Sequence, residues 1–410
     1  MEPWWKTWGE LKRKAQGRKI ILYGRMPDWI PKNVPRLPSK PAYILDRNPA
    51  YTGQSYQGIP IFDPSKLAQE TREDIYIVIT AGPYEGIVTF LIESGFEPGE
   101  DFCCTPEYKD FQLLEEIRNY DQRVIVSSSD YLDKTQARYS RAGGGLFSYH
   151  IGPNEVECLL PGHFRQIEQV GNKIYAIEYV EMALFVLDLD FNVLEKFPLG
   201  MSAFCGLAHD PKRDTLLLVA HDRIHVHERE GFKELGIYPY SDKLDDGETG
   251  HHHLNDICVL GDYVYVSYFS HSGNWKKGVF DGGVTEFRYD AIGQNPRIIY
   301  TDLWMPHSPK IIDGNICVCD SMRGRLYLQT PSHIGEFDGF VRGLAFDGRF
   351  YFIGQSEDMY MGRVFGTRKN IMLNAGFYLF DPETKASRFY PMLDNMNIHD
   401  ILILKDPDAE

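Results

Sequence analysis

No apolar run in these 410 residues approaches the ~18 that a membrane-spanning helix needs. The opening stretch, Met1–Lys14, is tryptophan-rich and mixed in charge, unlike a secretory leader. Basic side chains are outnumbered, 43 against 58 acidic ones for a net −15, and no basic stripe offsets the excess. That balance argues against a general binder of nucleic acid or of an anionic membrane surface. The seven cysteines are an odd set without a CxxC pair, so they read as reduced core thiols of a cytoplasmic protein. A glycine-rich dinucleotide fingerprint is missing too. Gly24-Arg-Met-Pro-Asp-Trp29 has one glycine where three are needed, so NAD is not expected as a cofactor.

What is abundant is aromatic and glycine content: 13% aromatic, with 25 Tyr, 24 Phe and 37 Gly, a bias toward strands and turns. Residues 1–110 differ from the remainder. Short apolar strands (Lys19–Gly24, Ala42–Asp46, Asp74–Thr80) alternate with helical stretches such as Glu85–Gly95, which predicts a small parallel α/β layer. Asp46 falls where a Rossmann unit carries its ribose-binding acid. Residues 111–121 read as a connecting helix.

From Gln122 onward the hydrophobic period is two, and a repeat emerges. Six segments share a polar or special residue, then a small or polar one, then Ile or Leu opening an apolar strand. They are Arg165-Gln-Ile167, Cys205-Gly-Leu207, Asn255-Asp-Ile257, Pro309-Lys-Ile311, Arg342-Gly-Leu344 and His399-Asp-Ile401. Second and third strands follow the first five. The strands at the start of the region, Arg123–Ser128, Gly145–His150 and Glu155–Leu160, lack an inner partner, which Ile398–Leu404 can supply. The expected fold is therefore mainly β: a six-bladed β-propeller over 122–410, closed by strand 398–404 and preceded by a small α/β Rossmann-like domain.

In a propeller the inner strands all start at one mouth, where the loops joining second and third strands also arrive. His163, His253 and His307 share one repeat-relative position, two residues before the anchors, and His399 sits at the closing anchor. Convergent neutral imidazoles suit Zn²⁺, Mn²⁺ or Fe²⁺; the alternative is that they bond backbone carbonyls in the channel. Asn255 and Asp256 offer oxygen ligands for Ca²⁺. Arg165 and Arg342 suit bidentate capture of an anionic group, unless each pairs with a nearby acid such as Asp256 or Asp400. The mouth loops add Glu178, Tyr179, His221 and Asp320, and long loops carry Trp275, Tyr360 and Phe365, flat faces for a sugar ring.

The N-terminal segment resembles small Rossmann-like modules attached to bacterial sugar-modifying proteins. The resemblance rests on Ile20–Gly24, Leu45-Asp-Arg-Asn-Pro49, Gly58-Ile-Pro-Ile61, Val78-Ile-Thr80 and Gly95 with Asp101-Phe102. The larger part resembles a little-characterised bacterial six-bladed propeller family. Its motifs are His253-Leu-Asn255, Asp281-Gly-Gly-Val284, Met305-Pro-His-Ser-Pro309 with Asp313-Gly314, Phe340-Val-Arg-Gly-Leu-Ala-Phe346 and Ile398-His-Asp400. It is distantly similar to gluconolactonase-like propellers, whose metal ligands include the Asn of a pair such as Asn255-Asp256; the ring of histidines is instead closer to metal-dependent propeller lyases. These likenesses imply the propeller and a ligand-facing mouth but no particular reaction; the mouth residues themselves point to a metal-dependent enzyme acting on an anionic carbohydrate or sugar-derived small molecule by elimination, epimerisation or lactone hydrolysis. His163, His253, His307 and His399 would hold the metal. Arg165, Arg342, Asn255, Asp256, Asp320 and Trp275 would bind substrate, and Glu178, Tyr179 or His221 would move the proton. The alternative is a non-catalytic carbohydrate-recognition or scaffold module in bacterial polysaccharide biosynthesis, its N-terminal layer docking a protein partner.

Overall fold

The computed structural model describes residues 2–241, 250–328, 332–357 and 371–406. Tyr360 and Phe365 lie outside them. The chain divides into two units, Met1–Glu116 and Ile117–Glu410. No helix among the described residues is long and apolar enough to cross a membrane.

The first unit is built on a six-stranded sheet in the order Ser55–Tyr56, Ile59–Phe62, Tyr43–Leu45, Lys19–Tyr23, Ile75–Ile79, Phe102–Cys104. Neighbours are parallel except for the antiparallel edge hairpin of Ser55–Tyr56 with Ile59–Phe62, so the sheet is mixed rather than wholly parallel. The central runs Lys19–Tyr23 and Ile75–Ile79 are nearly continuous in apolar residues because both faces are covered by core. The two residues that mimic a nucleotide fingerprint have local work. Gly24 has φ +109°, and a Cβ there would meet Ala81 Cβ at 2.6 Å, so close strand packing requires it. Asp46 accepts from the amides of Arg25 and Asn48 at 3.2 and 2.8 Å, capping its own turn.

The second unit is a six-bladed β-propeller, each blade a four-stranded antiparallel sheet. The inner strands of blades 1 to 5 are Phe164–Val170, Phe204–Asp210, Leu254–Leu260, Pro306–Ile312 and Phe340–Phe346. Blade 6 is composite. Asp400–Leu402 pairs with Arg123–Ser128, matching Asp400 to Ser127 and Leu402 to Ile125, and Gly145–His150 and Glu155–Pro161 complete it. Second strands such as Thr215–Ala220 are buried along their length, whereas outer strands such as Val193–Pro198 face solvent.

The sequence repeat has a physical meaning. In blades 1 to 5 the pairing of inner and second strand slips at the anchors, between Phe164 and Ile167, Phe204 and Gly206, Leu254 and Ile257, His307 and Lys310, and Val341 and Leu344. These are β-bulges, which re-aim a side chain and end regular pairing near a site. At the same level each blade is tied to the next. Arg165 Nη1 donates to the Phe204 carbonyl (3.3 Å) and Cys205 Sγ to that of Leu254 (3.5 Å). Ser308 N donates to Asp256 Oδ2 (2.7 Å), and Gly343 N to Ser308 Oγ (2.8 Å). Ile398 N donates to Ser356 Oγ (3.0 Å), and Ile167 N to Asp400 Oδ2 (3.4 Å), which closes the circuit. At four of the six anchors the next residue is glycine or aspartate (Gly206, Asp256, Gly343 and Asp400), and at Gly206 and Gly343 the neighbouring inner strand approaches closely. A Cβ on Gly206 would lie 2.7 Å from the Asn255 carbonyl oxygen.

All seven cysteines are free, and all but Cys158 are buried; Cys158 stands exposed on the outer strand of blade 6, a departure from the all-core expectation.

Candidate functional site

At the anchor end of the channel lies a cavity of about 350 Å³. The bulges deliver Arg165, Cys205, Asn255 and Arg342 into its wall, the closing blade delivers Asn397 and His399, and the loops deliver Arg138, Tyr179, His221, His253 and Trp275. Ala203, His221, His253 and Met305 also line it, and all four hold left-handed backbone, with φ of 93°, 52°, 52° and 54°. Such conformations cost a non-glycine residue about 1–2 kcal/mol, and their concentration around one cavity marks it as the place where the fold accepts strain.

The charges of this cavity are unmatched. Arg138, Arg165 and Arg342 line it, and among the described residues no carboxylate does. Arg342 is 9% exposed and makes no hydrogen bond or ion pair with any described residue; its Nε is buried without a partner. Arg165 lies with its guanidinium 3.7 Å above the Tyr179 ring, spends one N–H on the Phe204 carbonyl, and likewise leaves Nε unpaired. Burial pushes Arg342 down to about 10, although Asp256 pulls the other way. Burial lowers Arg165 too. Asn255 Nδ2 and His399 Nδ1 are further buried polar atoms without partners.

His253, His307 and His399 are held neutral by their surroundings. Burial, reinforced by Arg165, pushes His253 down to about 3. Burial with Arg342 holds His307 and His399 well below the usual imidazole range. His253 is packed between Phe269 and Trp275, each ring centroid 4.4 Å away. His307 Nδ1 sits 2.8 Å from the Met305 carbonyl, to which it donates, so Nε2 is the lone-pair nitrogen. His399 Nε2 meets Ser129 Oγ at 2.7 Å.

The residues expected from sequence divide into two sets. Tyr179, His221, Arg165, Arg342, Asn255, Trp275, His253, His307 and His399 line the cavity. Glu178, Asp256, Asp320 and His163 do not, because each is committed to the scaffold. Glu178 is buried and accepts from the amides of His163 (2.7 Å) and Glu181. His163 therefore turns back toward Glu178 (Nδ1 to Oε1 3.2 Å) and lies against the Tyr131 ring. Asp256 holds the next blade through Ser308 N. Asp320 accepts from Trp304 N at 2.7 Å and from Arg323. For Asp256 and Asp320 burial is the main reason that each carboxyl is pushed up to about 6. Arg138 was not anticipated. It stands in the long loop 129–143, where no repeat register assigns positions, and loop length was the one available signal.

A divalent metal, implied by the histidine register and by the gluconolactonase-like resemblance, does not fit this donor set. Three guanidinium groups share the lining with the imidazoles, and among the described residues no carboxylate joins them. Among the described residues, the one triplet of His, Cys, Asp or Glu whose ligand atoms all lie within 4.8 Å of one another is outside this cavity.

The other end of the channel is a larger cavity, about 730 Å³, with Glu168, Asp313, Asp347, Lys310 and Lys405 in its lining. There the charges are matched, with Lys310 Nζ 3.4 Å from Asp400 Oδ2. The unmatched positive charge singles out the anchor end.

The molecule is thus a six-bladed propeller with an arginine- and histidine-lined mouth. Residues 226–374 match the profile of a domain of unknown function (DUF4915). No curated protein matches. Solved structures with a similar arrangement include a chain of a nidogen/laminin complex (12% identity, 68% of this chain and 97% of that one, TM-score 0.47). A putative gluconolactonase is similar at 12% identity, over 58% of this chain and 80% of its own, TM-score 0.42. Regucalcin, a calcium-binding protein from Agrobacterium tumefaciens, is similar at 11% identity, over 55% and 72%, TM-score 0.38.

Proposed function

We propose that the propeller mouth is a recognition site for a small anionic, polyhydroxylated molecule of the sugar-acid or sugar-phosphate class. The observation that carries this reading is a buried Arg342 and a half-buried Arg165, each with a buried Nε lacking a partner among the described residues, facing a cavity where no described residue of the lining is a carboxylate. Burying an unpaired cation is costly, and a ligand carboxylate or phosphate is the counter-charge that offsets it. The neutral imidazoles of His253, His307 and His399 and the amide of Asn255 are suited to hydroxyl groups, since they exchange hydrogen bonds without adding charge. The aromatic faces of Trp275 and Phe269 suit the apolar face of a sugar ring.

The binding reading does not route a step through a metal. If the bound molecule is also turned over, the proton falls to His307, whose Nε2 carries a lone pair fixed by the Met305 carbonyl on the opposite nitrogen. Glu178 is unsuited to that task, because its oxygens already hold backbone amides.

The test is a calorimetric panel on the full chain. Galacturonate, glucuronate, a hexose phosphate and sulfate are titrated beside neutral glucose, with wild type and Arg165→Met. Anions are expected to bind wild type and to lose at least ~10-fold in affinity in the variant, while glucose shows no signal. Equal binding of glucose, or no heat with any anion, overturns the reading.

A further inference from the structure

A second pair of histidines has no part in the mouth. On the third strand of blade 2, Arg223–Glu228, His225 and His227 are two residues apart, so the pleat puts both on one face while Ile224 and Val226 join the core on the other. Both imidazoles are more than nine-tenths buried, at 4% and 7% exposure. The Nε2 atom of each is buried without any hydrogen-bond partner. Glu234 begins the outer strand Glu234–Pro239 and stands directly across the ladder from His227. One ligand atom from each of His225, His227 and Glu234 lies within 4.8 Å of the other two.

The rings are held by packing. Phe232 stacks on His227 at 4.0 Å and 2°, His225 and His227 are parallel within 10°, and Phe204 meets His225 edge-on at 4.9 Å. His227 Nδ1 lies 3.3 Å from the Phe232 carbonyl, so that nitrogen carries the proton and Nε2 the lone pair. A backbone carbonyl on the remote ring nitrogen is the arrangement that orients a metal-ligating histidine. Buried imidazole nitrogens and a carboxylate oxygen converge here. Such electron-pair donors repel in a low-dielectric setting unless a cation stands between them.

We propose that His225, His227 and Glu234 form a binding site for a divalent transition metal of the Zn²⁺ type. Two imidazoles and one carboxylate supply three corners of a tetrahedron, with water as the fourth ligand. Glu234 is exposed, so the ion reaches the site from the rim of the blade. The ion would clasp the third strand of blade 2 to its outer strand. This site is independent of the anion site, since none of the three residues lines that cavity.

The experiment uses the full chain, produced without a histidine tag and stripped with chelator. Zn²⁺ uptake is followed by mass spectrometry and competition titration, and Co²⁺ is used as a spectroscopic stand-in. Wild type is expected to take up one equivalent of metal and to show visible Co²⁺ bands. Glu234→Gln, an exposed position that leaves the fold intact, and His227→Ala are each expected to weaken uptake at least ~10-fold. His253→Ala, at the mouth, is expected to keep the ion. Absence of uptake by wild type overturns the proposal, as does uptake unaffected by both Glu234→Gln and His227→Ala. Loss of the ion in His253→Ala alone would move the metal to the mouth and overturn the anion reading with it.

Discussion

Replacing Arg342 with methionine is expected to make the protein more stable and unable to hold its ligand. Arg342 is 9% exposed, has no hydrogen-bond or ion-pair partner for its guanidinium among the described residues, and is pushed below its ordinary value to about 10, chiefly by burial. At about 1.36 kcal/mol per pKa unit, that depression corresponds to about 3 kcal/mol of destabilisation by the charge. The folded value lies below the unfolded one, so the penalty applies at every pH under about 10 and fades above it. Part of the gain is returned through Asp256, already pushed up to about 6, which loses the cation that moderated it. A net stabilisation of about 1–2 kcal/mol remains, or roughly 2–6 °C in melting temperature for a unit of this size. Methionine matches the length of the stem and fills the same volume. Urea unfolding at pH 7.5 measures the change, and calorimetry with galacturonate measures binding. A variant less stable than wild type by more than about 1 kcal/mol would refute the reasoning, since Arg342 would then be a strut between blades.

The contribution of His253, His307 and His399 to anion affinity should be flat between pH 5.5 and 8 for a strong-acid probe such as sulfate, because burial keeps His253 at about 3 and holds His307 and His399 well below the usual imidazole range. A bound anion raises those values, so affinity should strengthen only at lower pH, and a tenfold change per pH unit near 6.5 would contradict the burial argument. Ala203→Gly should stabilise by about 1 kcal/mol in a melting assay, since φ 93° costs alanine but not glycine. Asp256→Ala should cost about 2–3 kcal/mol in urea unfolding, because Ser308 N is left buried without an acceptor. Gly206→Ala should be at least as damaging, its Cβ meeting the neighbouring inner strand at 2.7 Å.

The propeller was legible because its anchors recur in register, and the structure shows why they must. In blades 1 to 5 a bulge falls at the anchor, and a bond to the neighbouring blade is made at the same level, so the pattern recurs at one relative position. The same register brought Arg165, Arg342 and Asn255 to one cavity. It did not say which way a side chain at the right level turns. His163 and His253 hold equivalent positions, yet Glu178 takes the first while Phe269 and Trp275 pack around the second. Acids at strand ends were misread for a related reason. Glu178 and Asp320 satisfy amides where the chain enters an inner strand, a demand that falls on the backbone and leaves no trace in residue periodicity. Arg138 was invisible because a loop has no period. The His225, His227 and Glu234 cluster depends on pairing between strands, which the repeat alone does not register.

The composite sixth blade ties occupancy of the mouth to the life history of the polypeptide. Arg138 comes from one side of the ring's seam, Asn397 and His399 from the other. A ribosome-bound chain that has not yet released His399 can display five sheets, but it has no finished receptor. A ligand of the proposed anionic class would therefore be held only by a ring whose seam is closed, and its binding would resist the seam's reopening. In a crowded cell that would make the small molecule a gauge of circular integrity, shielding sealed rings from proteases that seize a frayed one.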